Sequence, residues 1–185
     1  MIETLPPLGV LLVDCDGTIR KTRSGQTFIN IPDDQQLILE AACAMHRWQA
    51  KGWMFWGVSN QMGVQAEHKT IEDAIAEQSK TMALARTAHI NLVGISICPD
   101  DGNQLHVVDS NGEVKVCTSP QKIYRKPEPG MLQDAVTRLC RAHGGRKLVF
   151  AMTGDRPEDE GAAEAAGIEF IKHTDWWEGK TLDIV

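Results

Sequence analysis

The sequence has no apolar run long enough to cross a bilayer. The longest early run, residues 8–13, falls far short of the roughly 20 residues that a spanning helix needs, and no cluster of positive charge precedes it as in an export signal. A cytoplasmic protein without membrane contact is therefore expected. An even set of cysteines is also lacking. The five present, Cys15, Cys43, Cys98, Cys117 and Cys140, argue for reduced thiols rather than a disulfide framework. Excess positive charge is missing too: 19 Lys and Arg face 25 Asp and Glu, for a net charge of −6. Sequence-independent binding to DNA, which draws its affinity from phosphate neutralisation, then has a source only in a local basic patch. There is no internal repeat and no low-complexity stretch. What is present is ordinary. With 42% hydrophobic and 24% charged residues, a disordered tail or a coiled coil is excluded. A chain of 185 residues suits one domain around one core, burying roughly 70% of its unfolded surface.

Gly9-Val10-Leu11-Leu12-Val13 is a continuous apolar run ending in Asp14-Cys15-Asp16-Gly17-Thr18, the pattern of a strand buried on both faces and closed by a sharp polar turn. Residues 53–58 end likewise at Ser59-Asn60, and residues 147–152 at Thr153-Gly154-Asp155. Residues 90–97 and 168–171 are a fourth and a fifth candidate strand. Between the runs the period becomes helical, at Leu37, Ala41, Met45 and Trp48 and again at Met131, Ala135, Val136 and Leu139. A third helix is predicted over about residues 70–86, with Ile71, Ala74 and Ile75 facing inward. Asp33 and Asp34 offer caps to the first helix, and Gly52 or Gly144 suits a helix exit.

Strands alternating with helices predict an α/β fold: a mostly parallel, Rossmann-like sheet with helices on both faces, which binds ligands beyond the carboxyl ends of its strands. Every polar cluster named above falls there. Two stretches interrupt the alternation. Residues 20–32 are expected to form an exposed loop or hairpin, a small flap. Residues 104–117 alternate about Asn111-Gly112, a two-residue hairpin signal within an insert over residues 98–120.

Asp14 and Asp16 place two carboxylates on one tight turn, an arrangement that can bind a divalent cation and divide nucleophile from acid/base duty. Asp14-x-Asp16-Gly17-Thr18, then Ser59-Asn60, then Lys126-Pro127 before a helix, then Gly154-Asp155-Arg156-Pro157-Glu158-Asp159 resembles the four signature motifs of the haloacid dehalogenase-like (HAD) phosphatase superfamily, in its capless subclass III type. The resemblance spans residues 14–159. It implies one HAD-like hydrolase domain over residues 1–185 with no large cap. It also implies that Asp14 is the nucleophile that forms an aspartyl-phosphate, and that Asp16 protonates the leaving oxygen and then activates water. Ser59, Asn60 and Lys126 are the implied phosphate-binding residues. The implied Mg²⁺ site joins Asp14, the main-chain carbonyl of Asp16, Asp155 and Asp159. The chemistry is coherent in itself, because a carboxylate and a phosphate dianion repel and need cations between them.

Residues 21–28 together with Asn60-Gln61-Met62-Gly63-Val64 resemble the corresponding stretches of polynucleotide 3′-phosphatases. The same signature set also fits histidinol-phosphate and heptose-bisphosphate phosphatases. Arg20, Lys21, Arg23, Arg125 and Arg156 cluster around the motifs, which suits a substrate with more than one anionic group, with Arg23 as a substrate ligand. The expectation is a Mg²⁺-dependent phosphomonoesterase acting on a phosphorylated substrate, with nucleic-acid 3′-phosphate ends placed first. The alternative is a small-molecule phosphatase for a sugar or amino-alcohol phosphate. A non-catalytic phosphate-binding module has no need of Asp16. Both inserts are too short for a lid domain, so an open cleft is expected.

Heptose and histidinol phosphatases carry Cys-x-His followed by Cys-x-Cys in the region of Cys98-Pro99-Asp100 and Cys117-Thr118-Ser119. Two of four ligands are replaced here, which disfavours zinc at Cys98 and Cys117 even with Asp100 or His106 as substitutes. Cys43, Cys140, Trp48, Trp53 and Trp56 are expected in the core, and Trp176-Trp177 against the last strand or in the cleft.

Overall fold

A computed structural model of the chain describes residues 5–184. In chain order, β1 (Leu8–Val13), β2 (Arg20–Lys21) and β3 (Gln36–Leu37) precede α1 (Leu39–Gln49) and β4 (Trp53–Asn60). Next come α2 (Ile71–Thr87), β5 (Leu92–Cys98), β6 (Gln104–Asp109), β7 (Val114–Thr118) and α3 (Gly130–Ala142). The chain continues through β8 (Leu148–Gly154), α4 (Pro157–Ala166), β9 (Glu169–Lys172) and α5 (His173–Glu178). The seven-stranded sheet has the order β7-β6-β5-β4-β1-β8-β9. The five strands from β5 to β9 are parallel, and β6 and β7 extend that sheet antiparallel. Residues 98–120 are thus part of the main sheet rather than an appended insert.

The continuous apolar run of β1 is explained by its central place. Val10 and Leu12 pack with Met54, Trp56 and Val58 under α3 and α4, while Leu11 and Val13 pack with Trp48, Phe55 and Ile95 under α1 and α2. Both faces are buried, so no polar residue is tolerated until the strand ends. The connection reverses direction across the sheet at β1, with β4 on one side and β8 on the other. Such a switch point opens a crevice at the carboxyl ends of both strands, which places Asp14, Ser59 and Asp155 together. Among the described residues no helix is long and apolar enough to cross a membrane.

Several local expectations are corrected. Leu37 lies in β3, paired with Arg20, and α1 begins at Leu39 with no side-chain cap. Asp34 instead accepts from the backbone of Arg23 and Ser24 within the flap, and Asp33 pairs with Lys80. Val108 faces Val114 and the Asp109 N–H donates to the Glu113 carbonyl, so the β6–β7 loop has one residue more than a two-residue Asn-Gly turn. The Asp109 carboxylate, accepting from the N–H groups of Asn111 and Glu113, stabilises the wider form. Cys43 and Cys140 are exposed on the outer faces of their helices. Trp176 is core, and Trp177 packs with α5 against the first motif rather than lining the cleft.

Arg20, expected in an exposed loop, is fully buried. The short β2–β3 ladder carries it under the flap onto α2, whose inward face holds Glu77, Gln78 and Thr81 between Ala74 and Met82. Glu77, 1% exposed, accepts from Arg20 at 2.7 Å and from Lys69 at 2.5 Å. Lys69 also donates to the Ile29 carbonyl in the flap at 2.9 Å. Replacing Glu77 leaves two buried cations facing each other, so Glu77→Ala should destabilise the fold by about 3 kcal/mol in urea unfolding. Lys80→Ala, which removes only the exposed pair with Asp33, should leave the midpoint unchanged.

Candidate active site

The first motif is a tight turn tied to the sheet. The Asp14 N–H continues the ladder to the Thr153 carbonyl at 2.9 Å, and the Cys15 carbonyl accepts from Ile19 and Arg20 at 3.0 and 3.1 Å. Gly17 sits at φ +92°, and a Cβ there would lie 2.5 Å from an Asp155 carboxylate oxygen, so the turn admits only glycine. Behind it, Trp177 Nε1 donates to the Thr18 carbonyl at 3.2 Å.

Four charged groups meet at the ends of β1 and β8. Lys126 Nζ donates to Asp14 Oδ1 at 2.7 Å, Asp159 Oδ1 at 2.5 Å and the Val58 carbonyl at 2.9 Å, so all three ammonium protons are used. Asp159 belongs to the first turn of α4, where its Oδ2 accepts the Arg156 N–H at 3.1 Å. Gly154 makes room for it, since a Cβ at that position would lie 2.3 Å from Asp159 Oδ2. Asp14, Asp155 and Asp159 offer carboxylate oxygens within 4.8 Å of one another. Three carboxylates against one ammonium leave an excess of two negative charges in a largely buried place, and the donors are all hard oxygens. That is the donor set of a divalent cation such as Mg²⁺ or Ca²⁺. Burial pushes the Asp14 carboxyl up to about 7; Lys126 opposes that rise and Asp159 adds to it.

The Asp16 carboxylate lines the same cavity but has its own set of donors. Its Oδ1 accepts from Arg20 Nε at 2.9 Å, and its Oδ2 from Arg20 Nη2 at 3.1 Å, Ser59 Oγ at 3.2 Å and Gln61 Nε2 at 2.9 Å. Burial alone would raise its pKa, but the charge and hydrogen bonds of Arg20 outweigh that and hold it below the ordinary carboxylate range. The side chain of Asp16 is therefore outside the three-carboxylate group.

The expected phosphate ligands divide. Lys126 and Ser59 face the cavity between the strand ends. Asn60 uses its side chain on the backbone of Lys126, accepting its N–H at 3.1 Å and donating to its carbonyl at 3.0 Å. It thereby holds the lysine rather than reaching outward. Arg23 is exposed outside the cavity lining, because its backbone is pinned to Asp34 on the far side of the flap. Arg20 has no free donor. Among the described residues, the cations that line the roughly 650 Å³ cavity without an ion-pair partner are Lys21, Arg125 and Arg156, and Phe28 and Met62 line it too.

Glu77, Gln78, Thr81 and Lys69 belong to none of the sequence motifs. The available signal was polar residues at 77, 78 and 81 on the α2 stripe where Ala74, Met82 and Ala85 are buried, since polar groups on an inward face demand a partner. Cys98, Cys117 and His106 each have a partner of their own. Cys98 Sγ turns to the Asp100 carbonyl, Cys117 Sγ accepts from Arg138 at 3.2 Å, and His106 Nε2 meets Gln104.

Comparison with known proteins gives the family. The sequence model of the polynucleotide kinase 3 phosphatase family matches residues 9–155. A D-glycero-beta-D-manno-heptose-1,7-bisphosphate 7-phosphatase of Haemophilus ducreyi is 29% identical over 162 residues, 86% of this chain and 79% of its own length. Among solved structures, a protein assigned as a HAD-like phosphatase from Mesorhizobium loti superposes with a TM-score of 0.63 at 23% identity, over 89% of this chain and 71% of that one. The D,D-heptose 1,7-bisphosphate phosphatase of B. bronchiseptica, complexed with magnesium and phosphate, gives 0.59 at 22% identity, over 88% and 79%. Since the family match covers most of the chain and takes in the Asp14 turn, Ser59, Lys126 and Asp155, the chain belongs to the polynucleotide kinase 3 phosphatase family within the HAD superfamily and is a phosphoric monoester hydrolase.

Proposed function

We propose that the protein is a Mg²⁺-dependent phosphatase of a small phosphorylated metabolite, in the sugar-phosphate class, working through an aspartyl-phosphate on Asp14. The observation that carries this reading is the meeting of Asp14, Asp155 and Asp159 with the Lys126 ammonium at the switch point of the sheet. The oxygen-only donor set fits a hard divalent cation, with the backbone of the Asp14 turn beside it. Bound there, Mg²⁺ would offset the repulsion between the carboxylate nucleophile and a phosphate dianion. An Asp14 oxygen attacks phosphorus as the bond to the leaving oxygen breaks. Asp16, held as an anion at the start, takes the proton of the attacking water and passes it to the leaving oxygen of the next substrate. Lys126 and the Ser59 hydroxyl flank the transferred group.

Two observations favour a small substrate over a polynucleotide end. The curated relative acts on a heptose bisphosphate. Of the five basic residues that suggest a polyanion, Arg20 is bound to Asp16 and Glu77 and Arg23 lies outside the cavity, which leaves three. Lys21, Arg125 and Arg156 suffice for a second phosphate on one small molecule. The test is a panel of sugar phosphates and bisphosphates beside a 3′-phosphorylated oligonucleotide, assayed with Mg²⁺. Higher kcat/KM on a sugar phosphate is expected, and higher kcat/KM on the oligonucleotide would restore the nucleic-acid reading.

Two further outcomes follow from the charge arrangement. Mg²⁺ should raise the melting temperature of the wild-type chain and be required for turnover, and Asp155→Ala should lose both effects while its metal-free melt stays near wild type. Asp14→Asn should abolish turnover yet stabilise the metal-free protein above pH 7. The Asp14 pKa is raised from 3.8 to about 7 in the fold, so below pH 4 both states hold the proton and folding is not penalised. Between pH 4 and 7 the unfolded chain releases its proton first, and stability falls as pH rises. The variant keeps the Lys126–Asp159 pair and escapes that loss, a gain on the order of 1–2 kcal/mol at pH 8 that vanishes at pH 4. Urea unfolding of both chains in chelator across that range measures it.

A further inference from the structure

Arg20 is a fully buried cation beside the site to which the reaction as described gives no part. A guanidinium has five N–H bonds, and here all are taken. Nε donates to Asp16 Oδ1 and Nη2 to Asp16 Oδ2 and Glu77 Oε1, while Nη1 donates to Gln78 Oε1 at 3.0 Å and Thr81 Oγ1 at 2.6 Å. With no donor left, Arg20 cannot also bind substrate. What it does is grip both oxygens of Asp16. The grip is built into the turn, because the Gly17 N–H donates to the Arg20 carbonyl at 3.0 Å and brings the side chain back over the residue four positions earlier. The α2 face then fixes the far side of the guanidinium.

The two Asp16 oxygens are left in different states. Oδ2 accepts from three donors, Arg20, Ser59 and Gln61, whereas Oδ1 accepts from Arg20 Nε alone. A lone pair therefore remains on Oδ1, and the side chain keeps 34% of its surface open to solvent. Four donors thus fix the carboxylate in one orientation with that lone pair unfilled.

We infer that Arg20, anchored by Glu77, is a positioning residue for the second half-reaction, holding Asp16 so that Oδ1 takes the proton from the water that attacks the phosphoaspartate. This rests on the reading of Asp14 and Asp16 above. In that step the water oxygen bonds to phosphorus, the bond from phosphorus to the Asp14 oxygen breaks with its electron pair returning to the carboxylate, and the water proton passes to Asp16 Oδ1. A carboxylate side chain without the grip has two free torsions and loses its alignment with the water.

The test is rapid-quench kinetics with p-nitrophenyl phosphate and Mg²⁺, comparing wild type, Arg20→Met and Arg20→Lys. p-Nitrophenolate leaves without a proton, so enzyme phosphorylation reports folding and the Asp14 chemistry, while steady-state turnover reports hydrolysis of the intermediate. For Arg20→Met the burst rate should stay within about threefold of wild type and the steady state should fall at least tenfold, with acid-stable phosphate accumulating on Asp14. Arg20→Lys, which keeps the charge but not the fork, should fall between. If Arg20→Met does not fold, the double variant Arg20→Met/Glu77→Gln removes both charges of the pair and should show the same split. Equal loss of burst and steady state, or an unchanged steady state, overturns the inference and leaves the Asp14 reading standing. A wild-type chain that turns over substrate without ever labelling Asp14 overturns both.

Discussion

The Lys126 ammonium, set between Asp14 and Asp159 and capped by the Val58 carbonyl, is the contact on which the site depends. Three neighbouring carboxylates, two of them buried, are costly to hold together, since like charges repel and desolvation disfavours the buried ones. One lysine relieves part of that cost and leaves a remainder that a divalent cation can neutralise. The lysine is itself fixed from the backbone outward. Asn60, at the end of β4, holds the Lys126 amide and carbonyl, so the ends of β4 and β1 and the first turn of α4 are tied to one another through a single residue that precedes α3.

The second constraint is the turn after β1, which must serve two neighbouring aspartates with opposite needs. Asp14 faces the carboxylate group and is pushed toward neutrality, while Asp16 faces Arg20 and is held as an anion. Two residues apart in sequence, they lie in different electrostatic surroundings because Gly17 turns the chain and Arg20 folds back. The helix α2 supports this with polar residues where a helix on a sheet ordinarily buries apolar ones. Glu77 then links the turn to the flap through Lys69 and the Ile29 carbonyl, so the turn, the α2 face and the flap are joined by one chain of hydrogen bonds.

The sequence by itself determined the strands that carry the site. The runs of β1, β4 and β8 are continuous because each is buried on both faces, and the polar residues that follow are legible because nothing polar is tolerated before them. Asp14, Asp16, Ser59, Lys126, Asp155 and Asp159 could be read from that alternation together with the resemblance of their order to the HAD motifs. Only the tertiary structure decided what each polar side chain faces. Asp33 and Asp34 look like helix caps in sequence, yet flap backbone and Lys80 claim them. Arg20, Arg23 and Asn60 look like substrate ligands, yet Arg20 is taken by a helix 57 positions away, Arg23 is turned outward, and Asn60 is spent on Lys126. The physical reason is range: hydrophobic periodicity is a local property of the chain, whereas a buried charge goes wherever the fold brings a partner, and that partner lies at no fixed distance in sequence.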